Sequence, residues 1–123
     1  MHRGKQNYVV LNRYPYTSGH LMIVPFEHVS SLAAAAAETG AEMMELTRKA
    51  EESLRQAYRP DGLNIGMNIG ASAGAGVAGH IHLHVLPRWS GDVNFMTTVS
   101  ETRVLPETLE TTYRRLKDLC SLW

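Results

Sequence analysis

The chain has 123 residues, 44% of them apolar, and its twelve basic and twelve acidic side chains leave a formal net charge of zero at neutral pH. Such a length and composition suit one domain over residues 1–123 with one core, and the balanced charge gives none of the basic footprint of a general nucleic-acid binder. A single cysteine, Cys120, excludes an intramolecular disulfide and a Cys-rich zinc site; with no signal-peptide core and no run near the roughly 18 apolar residues of a membrane span, the expectation is a soluble, cytoplasmic protein with no membrane partner.

Residues 8–11 read as a short strand, 12–19 as a turn rich in Pro, Ser and Gly, and 20–24 as a second strand stopped by Pro25, which together suggest an antiparallel pair. Ser30 or Ser31 can cap a short Ala-rich helix that Gly40 interrupts, the alanines themselves reading as helix propensity. Thr39-Gly-Ala-Glu42 matches a capping box that opens a new helix over 39–58. Met43, Leu46, Thr47, Ala50, Leu54 and Ala57 then share one face, opposite Glu45, Lys49, Glu52 and Arg55. Residues 63–69 alternate as a third strand, 70–79 form a Gly/Ala loop, and 80–86 make a fourth strand closed by Pro87. A turn at 91–94 leads to a short fifth strand at 95–99, and Pro106 opens a last helix running to about Ser121 with Leu109, Tyr113, Leu116 and Cys120 as its apolar stripe. Hairpins in place of repeated βαβ units make this an α+β fold: a mainly antiparallel sheet of about five strands, one long helix and one C-terminal helix.

Three of the six histidines fall in Gly79-His-Ile-His-Leu-His-Val-Leu-Pro-Arg-Trp89. On a strand, His80, His82 and His84 share one face and Ile81, Leu83 and Val85 the other. The apolar face anchors the strand in a core, so the imidazoles stand on something rigid. Exposed polar residues on a sheet face are the plain reading, and a metal site a second one, since imidazole is a common zinc ligand. The outer two histidines lie ~13 Å apart along a strand, which makes convergence of all three on one ion difficult. The same spread suits a third reading, a ladder along an extended anion such as a polyphosphate. An imidazole titrating near neutrality can be a nucleophile toward phosphorus or a proton donor. The Gly/Ala loop, alone a weak signal, lets backbone N–H groups approach phosphate oxygens.

His80-Ile-His-Leu-His-Val-Leu86 resembles the signature of the histidine triad (HIT) family of nucleotidyl hydrolases and transferases, His-φ-His-φ-His-φ-φ with φ apolar. The resemblance extends over "NRYPYTSGHLMIVPFEHV" and "NIGMNIGASAGAGVAGHIHLHVLPRWSGDVNFM", and the "PRWSGDVNF" continuation is most similar to a bacterial branch associated with diadenosine tetraphosphate phosphorylase and hydrolase activity. It implies a HIT-like fold and a covalent nucleotidyl intermediate on the middle histidine, His82. His80 and His84 would orient that nucleophile and contact phosphate or leaving group, Asn12 would bind ribose hydroxyls, and His20 would stand beside the triad. Asn68 would contact phosphate, while Gly74 and Gly76 would offer backbone N–H groups. The implied reaction cleaves a dinucleoside polyphosphate, with a purine nucleoside phosphoramidase or a nucleotide-sensing protein of little turnover as alternatives. No resident cofactor or metal is called for, although magnesium can accompany the substrate, and the family's dimers, joined through the long helix and the adjoining strand, imply a homodimer here. Two departures stand out. Ala75, Gly76 and Val77 occupy places where many members carry a Ser or Gln donor, leaving Ser72 as the only loop hydroxyl, and no CxxC motif is present for a structural zinc. Trp89 and Trp123 are candidates for a nucleotide-facing or partner-facing surface.

Overall fold

The computed structural model describes residues 1–93, 95–101 and 106–123. Strand β1 (His2–Arg3) leads into β2 (Asn7–Leu11), which pairs with β3 (Leu21–Pro25) from Asn7↔Pro25 to Leu11↔Leu21. The long helix α1 (Ala37–Tyr58) crosses the sheet and hands the chain to β4 (Gly62–Gly66). The Gly/Ala loop then leads to β5 (Leu83–Arg88), followed by α2 (Phe95–Ser100) and α3 (Leu109–Cys120). All strand pairs are antiparallel, in the order β1-β2-β3-β5-β4. This is the expected α+β architecture, and β5, the strand that follows the Gly-rich loop, lies inside the sheet with a neighbour on each side.

One face of the sheet is closed. Val9, Leu21, Ile23, Leu83 and Val85 alternate onto it and meet Met43, Leu46, Ala50 and Leu54 of α1, with Leu116 and Cys120 of α3 completing the cluster. Each fully buried Leu, Ile or Val stabilises the fold by roughly 1.5–3 kcal/mol. The predicted inward face of α1 is therefore the observed one. On α3 only half of the predicted stripe turns inward. Leu116 and Cys120 are fully buried beside Thr112, whereas Leu109 and Tyr113 are exposed.

Several boundaries differ from the sequence reading. The fifth strand is His2–Arg3, and residues 95–100 are helical; β propensity is realised only by packing on a sheet. Asn94, the end of the expected turn, lies outside the described residues. Strand β4 stops at Gly66. Pro25 is the last residue of β3, opposite Asn7, so that strand does end there, whereas Pro87 sits within β5, opposite Leu63. The ladder of β5 begins only at Leu83, yet alternation of buried and half-buried residues starts at Ile81, whose N–H donates to the Val29 carbonyl at 2.8 Å. At the other end, α3 starts at Leu109 behind the cap Thr108, two residues past Pro106.

The start of α1 is the largest revision. Ser31 does cap a short 3-10 turn at Leu32–Ala34, but Gly40 interrupts nothing, and α1 begins at Ala37. Its first orphan N–H groups are met from a distance, with Glu27 accepting from Ala36 N–H at 3.3 Å. The expected capping-box residue Thr39 is buried against that same carboxylate. Glu42 instead reaches across to the β1–β2 turn, where its carboxylate accepts the backbone N–H groups of Lys5, Gln6 and Asn7 at 2.7–2.8 Å. Burial alone would push the Glu42 carboxyl up, but the Asn7 side-chain amide and these backbone N–H groups together outweigh it and hold Glu42 below its usual carboxylate range.

Candidate active site

The open face of the sheet carries the histidines. Register places Met22 between Val10 and His84, and Tyr8 beside Val24. These side chains form the floor of a pocket of about 580 Å³, and its walls bring together Asn12, Asn68, Gly74, Gly76, His80, His82 and His84. Seven of the eight residues expected at the site thus line one cavity. The eighth, His20, is 1% exposed and lies behind His84, and it reaches the pocket through that neighbour.

Two glycines shape the approaches. Gly19 turns the chain into β3 at φ +82°, and a side chain there would press on Leu54, Tyr58 and Pro87 at 3.1–3.2 Å. That tight turn sets His20 down beneath Tyr16. Gly74 closes a 3-10 turn at Ala71–Ala73 in the left-handed region, at φ +85°. Its own N–H is already spent on the Ala71 carbonyl at 3.0 Å, contrary to its expected part as a phosphate donor, while its carbonyl accepts from Asn68 Nδ2 at 3.2 Å. The Gly76 N–H has no backbone partner among the described residues.

Hydrogen-bond partners decide which nitrogen of each ring carries a proton, because a backbone N–H can only donate and a carbonyl can only accept. Tyr16 N–H donates to His20 Nδ1 at 3.1 Å, so His20 carries its proton on Nε2 and donates it to His84 Nδ1 at 2.8 Å. Neutral His84 therefore presents an Nε2–H. His80 donates from Nε2 to the Pro25 carbonyl at 2.9 Å. His82 donates from Nδ1 to the His80 carbonyl at 3.1 Å, which leaves Nε2 of His82 with a free lone pair. The rings of His82 and His84 meet edge to face with centroids 4.8 Å apart.

Electrostatics reinforce the neutral forms of the inner pair. Burial, with the neighbouring His84 and His82 adding to it, lowers His20 to about 4. Burial first, and then His82, lowers His84 as well. Tyr16 lies over both rings, 4.9 Å from His20 and 5.9 Å from His84 between centroids. On the far side, His28 packs edge-on against His80 at 4.7 Å. Among the described residues, no group of three or more His, Cys, Asp or Glu side chains is arranged to hold a metal ion.

A family model for the HIT domain matches residues 3–91. The chain belongs to the HIT family. It is 47% identical over 114 residues to an AP-4-A phosphorylase of Mycobacterium tuberculosis, covering 93% of this chain and 58% of that protein. The chain thus spans little more than half the length of that relative. The HIT fold is shared with the crystal structure of a hypothetical histidine triad nucleotide-binding protein from Sulfolobus tokodaii, at a TM-score of 0.78 and 26% identity over 98% of this chain and 82% of the other. A zinc-bound histidine triad family protein from Mycobacterium smegmatis matches at a TM-score of 0.76 and 30% identity, over 98% and 83% of the two chains.

Within this HIT pocket, sequence reasoning missed the apolar floor and the aromatic wall. Tyr8, Val10, Met22 and Val24 fall on outer-facing positions of the first hairpin, so its register alone would have found them. Tyr14 and Tyr16 carry no such signal because they sit in an irregular turn, where Asn12 Oδ1 accepts the Tyr14 N–H at 2.9 Å. Neither tryptophan lines the pocket. Trp123 packs on His2 and donates to Ser53 Oγ at 3.2 Å, and Trp89 meets Tyr58 beside a separate hollow that Ser18 also lines.

Proposed function

We propose that this HIT domain transfers a nucleotidyl group through His82, cleaving a dinucleoside polyphosphate of the diadenosine tetraphosphate type. The observation that carries this reading is the fixed tautomer of His82. Its Nδ1–H is held by the main chain, and Nε2, on the ring's opposite side, keeps the lone pair needed to attack phosphorus. Attack forms a P–N bond, and positive charge arising on the ring is stabilised by the His80 carbonyl. Asn12 takes the ribose hydroxyls. Asn68 and the Gly76 N–H contact phosphate, with Gly74 holding Asn68 in place, and the Tyr8, Val10, Met22 and Val24 floor receives apolar parts of the nucleotide. His80 and His84 flank the nucleophile, while His20 acts as a positioning residue by fixing the proton of His84.

The relative named AP-4-A phosphorylase supports inorganic phosphate as the acceptor. No resident cofactor enters this scheme, and magnesium can accompany the substrate. The whole of 1–123 serves as one domain, acting in the cytoplasm. No helix of the described residues is long and apolar enough to cross a membrane. A homodimer joined along the β4 edge and α1 is supported by the exposure there of Ile65, at 44%, and Met44, at 59%. Product analysis with diadenosine tetraphosphate, with and without phosphate, tests the reading. ADP and ATP formed only with phosphate are the expected products. AMP and ATP in both reactions would make water the acceptor, and no product in either would overturn the reading.

A further inference from the structure

We propose that the exposed stack of Arg3 and Phe26 on Tyr8, just beyond the pocket, is a platform for the second base of a dinucleoside polyphosphate. The inference rests on the nucleotidyl-transfer reading above and adds where the departing nucleotide is held.

Strand register sets the direction. Asn12 and His20 make one row across the sheet, Val10, Met22 and His84 the next, and Tyr8 and Val24 the third. His82, two residues before His84, stands level with that third row, ~7 Å further along the strand. His80 and Phe26 come one row later. There His80 donates to the Pro25 carbonyl, and Phe26 N–H donates to the Gln6 carbonyl at 2.9 Å. With the ribose of the transferred nucleotide at Asn12 and its α-phosphorus at His82, the rest of the substrate leaves on the side of His80 and Phe26.

What it meets there suits a planar ring. Phe26 is 39% exposed and stacks on Tyr8, a residue of the pocket floor, with centroids 5.2 Å apart and planes 30° from parallel. The exposed Arg3 guanidinium lies over the Phe26 ring, 4.5 Å from its centroid, and makes no ion pair among the described residues. Every base has a π face for such a ring, and arginine adds a cation–π contact. The base enters between the two side chains, with Arg3 moving onto its outer side. The platform stays open in the homodimer proposed above, because β1 and β4 are opposite edges of the sheet. A similar pair, Arg13 over Tyr14 at 5.7 Å, stands at the other end of the pocket. Tyr14 N–H is bonded to Asn12, so that pair sits beside the transferred nucleotide and provides a control.

The test compares diadenosine tetraphosphate with adenosine 5′-tetraphosphate, which has the same adenylyl group and phosphate chain but a single nucleoside. Dissociation constants are measured by calorimetry on His82→Ala protein, alone and combined with Phe26→Leu, Phe26→Trp or Tyr14→Leu. Phe26→Leu, which keeps apolar bulk but loses the π face, should weaken diadenosine tetraphosphate roughly tenfold and leave the one-base compound within about twofold. Phe26→Trp should bind both as before. Tyr14→Leu should not separate the two compounds. Equal weakening of both by Phe26→Leu, no weakening of either, or a selective loss in Tyr14→Leu instead would overturn the proposal. If neither compound binds to His82→Ala itself, the nucleotidyl-transfer reading fails, an outcome distinct from the loss of selectivity.

Discussion

The two faces of residues 81–85 do opposite work with side chains set one residue apart. The inner face, Ile81, Leu83 and Val85, meets α1 and contributes stability by removal from water, where only volume and shape matter. The outer face, His82 and His84 with His80 before them, stays half-buried, and each ring is held by one directional bond. Packing on one side therefore supplies the rigidity that the other side needs. Removing a residue from the inner face should cost stability, and removing one from the outer face should cost chemistry.

The sharpest break is His82→Ala. It should lower turnover of diadenosine tetraphosphate by at least about 10³-fold while leaving the midpoint of urea unfolding nearly unchanged. Leu83→Ala, one residue away on the inner face, should do the reverse. Loss of about 2–5 kcal/mol in urea unfolding is expected, with kcat of the remaining folded protein within a few-fold of wild type. A large kcat loss in Leu83→Ala would mean that the two faces are not separable.

His20 belongs to both faces, being buried like a core residue and hydrogen-bonded like a site residue, and pH can separate its two parts. It titrates at about 4 in the fold against 6.5 when unperturbed. Between these values the unfolded chain binds the extra proton, so this contribution is complete above about pH 6.5 and is lost as pH falls toward 4. Thermal unfolding followed from pH 7 to 4 should show a falling Tm, with a shallower fall in His20→Gln. Equal slopes in the two proteins would remove His20 as the cause.

The smallest effects distinguish the two loop glycines at the pocket. Gly74→Ala should cost roughly 1–2 kcal/mol for placing an L-residue in the left-handed region, and it should weaken nucleotide binding through Asn68. Gly76→Ala meets no atom within 4 Å and should be near neutral for stability. Paired unfolding curves would show the difference.

What could be read in advance follows from the range of each interaction. Alternation over 80–86 and the spacing of Met43, Leu46, Ala50 and Leu54 are local patterns, and they gave the open face, the covered face and the helix between them. His80, His82 and His84 lie on the first of those patterns, and Gly74 and Gly76 in the Gly/Ala loop before it. Asn12 and Asn68 follow from the family resemblance alone; all seven line the pocket. Glu42 and Glu27 could not be read this way, because the groups they serve lie 35–37 and 9 residues away, and a capping-box spacing is silent about distant competitors. The helical form of 95–100 was hidden for a related reason: its β-branched residues suit a strand, but that propensity is realised only through packing on a sheet, which the segment itself does not reveal. Nor could the proton arrangement be read from the sequence. It depends on Tyr16 N–H and the Pro25 and His80 carbonyls, main-chain groups that only the fold brings to the rings.

The most direct test of the central claim is to trap the intermediate. Wild-type protein and His82→Ala would be mixed rapidly with diadenosine tetraphosphate in the absence of phosphate, quenched under conditions that preserve phosphoramidates, and analysed by peptide mass spectrometry. The account predicts one adenylyl group on His82 in the wild type and none in the variant. An adduct on another residue, or full turnover by the variant, would contradict it.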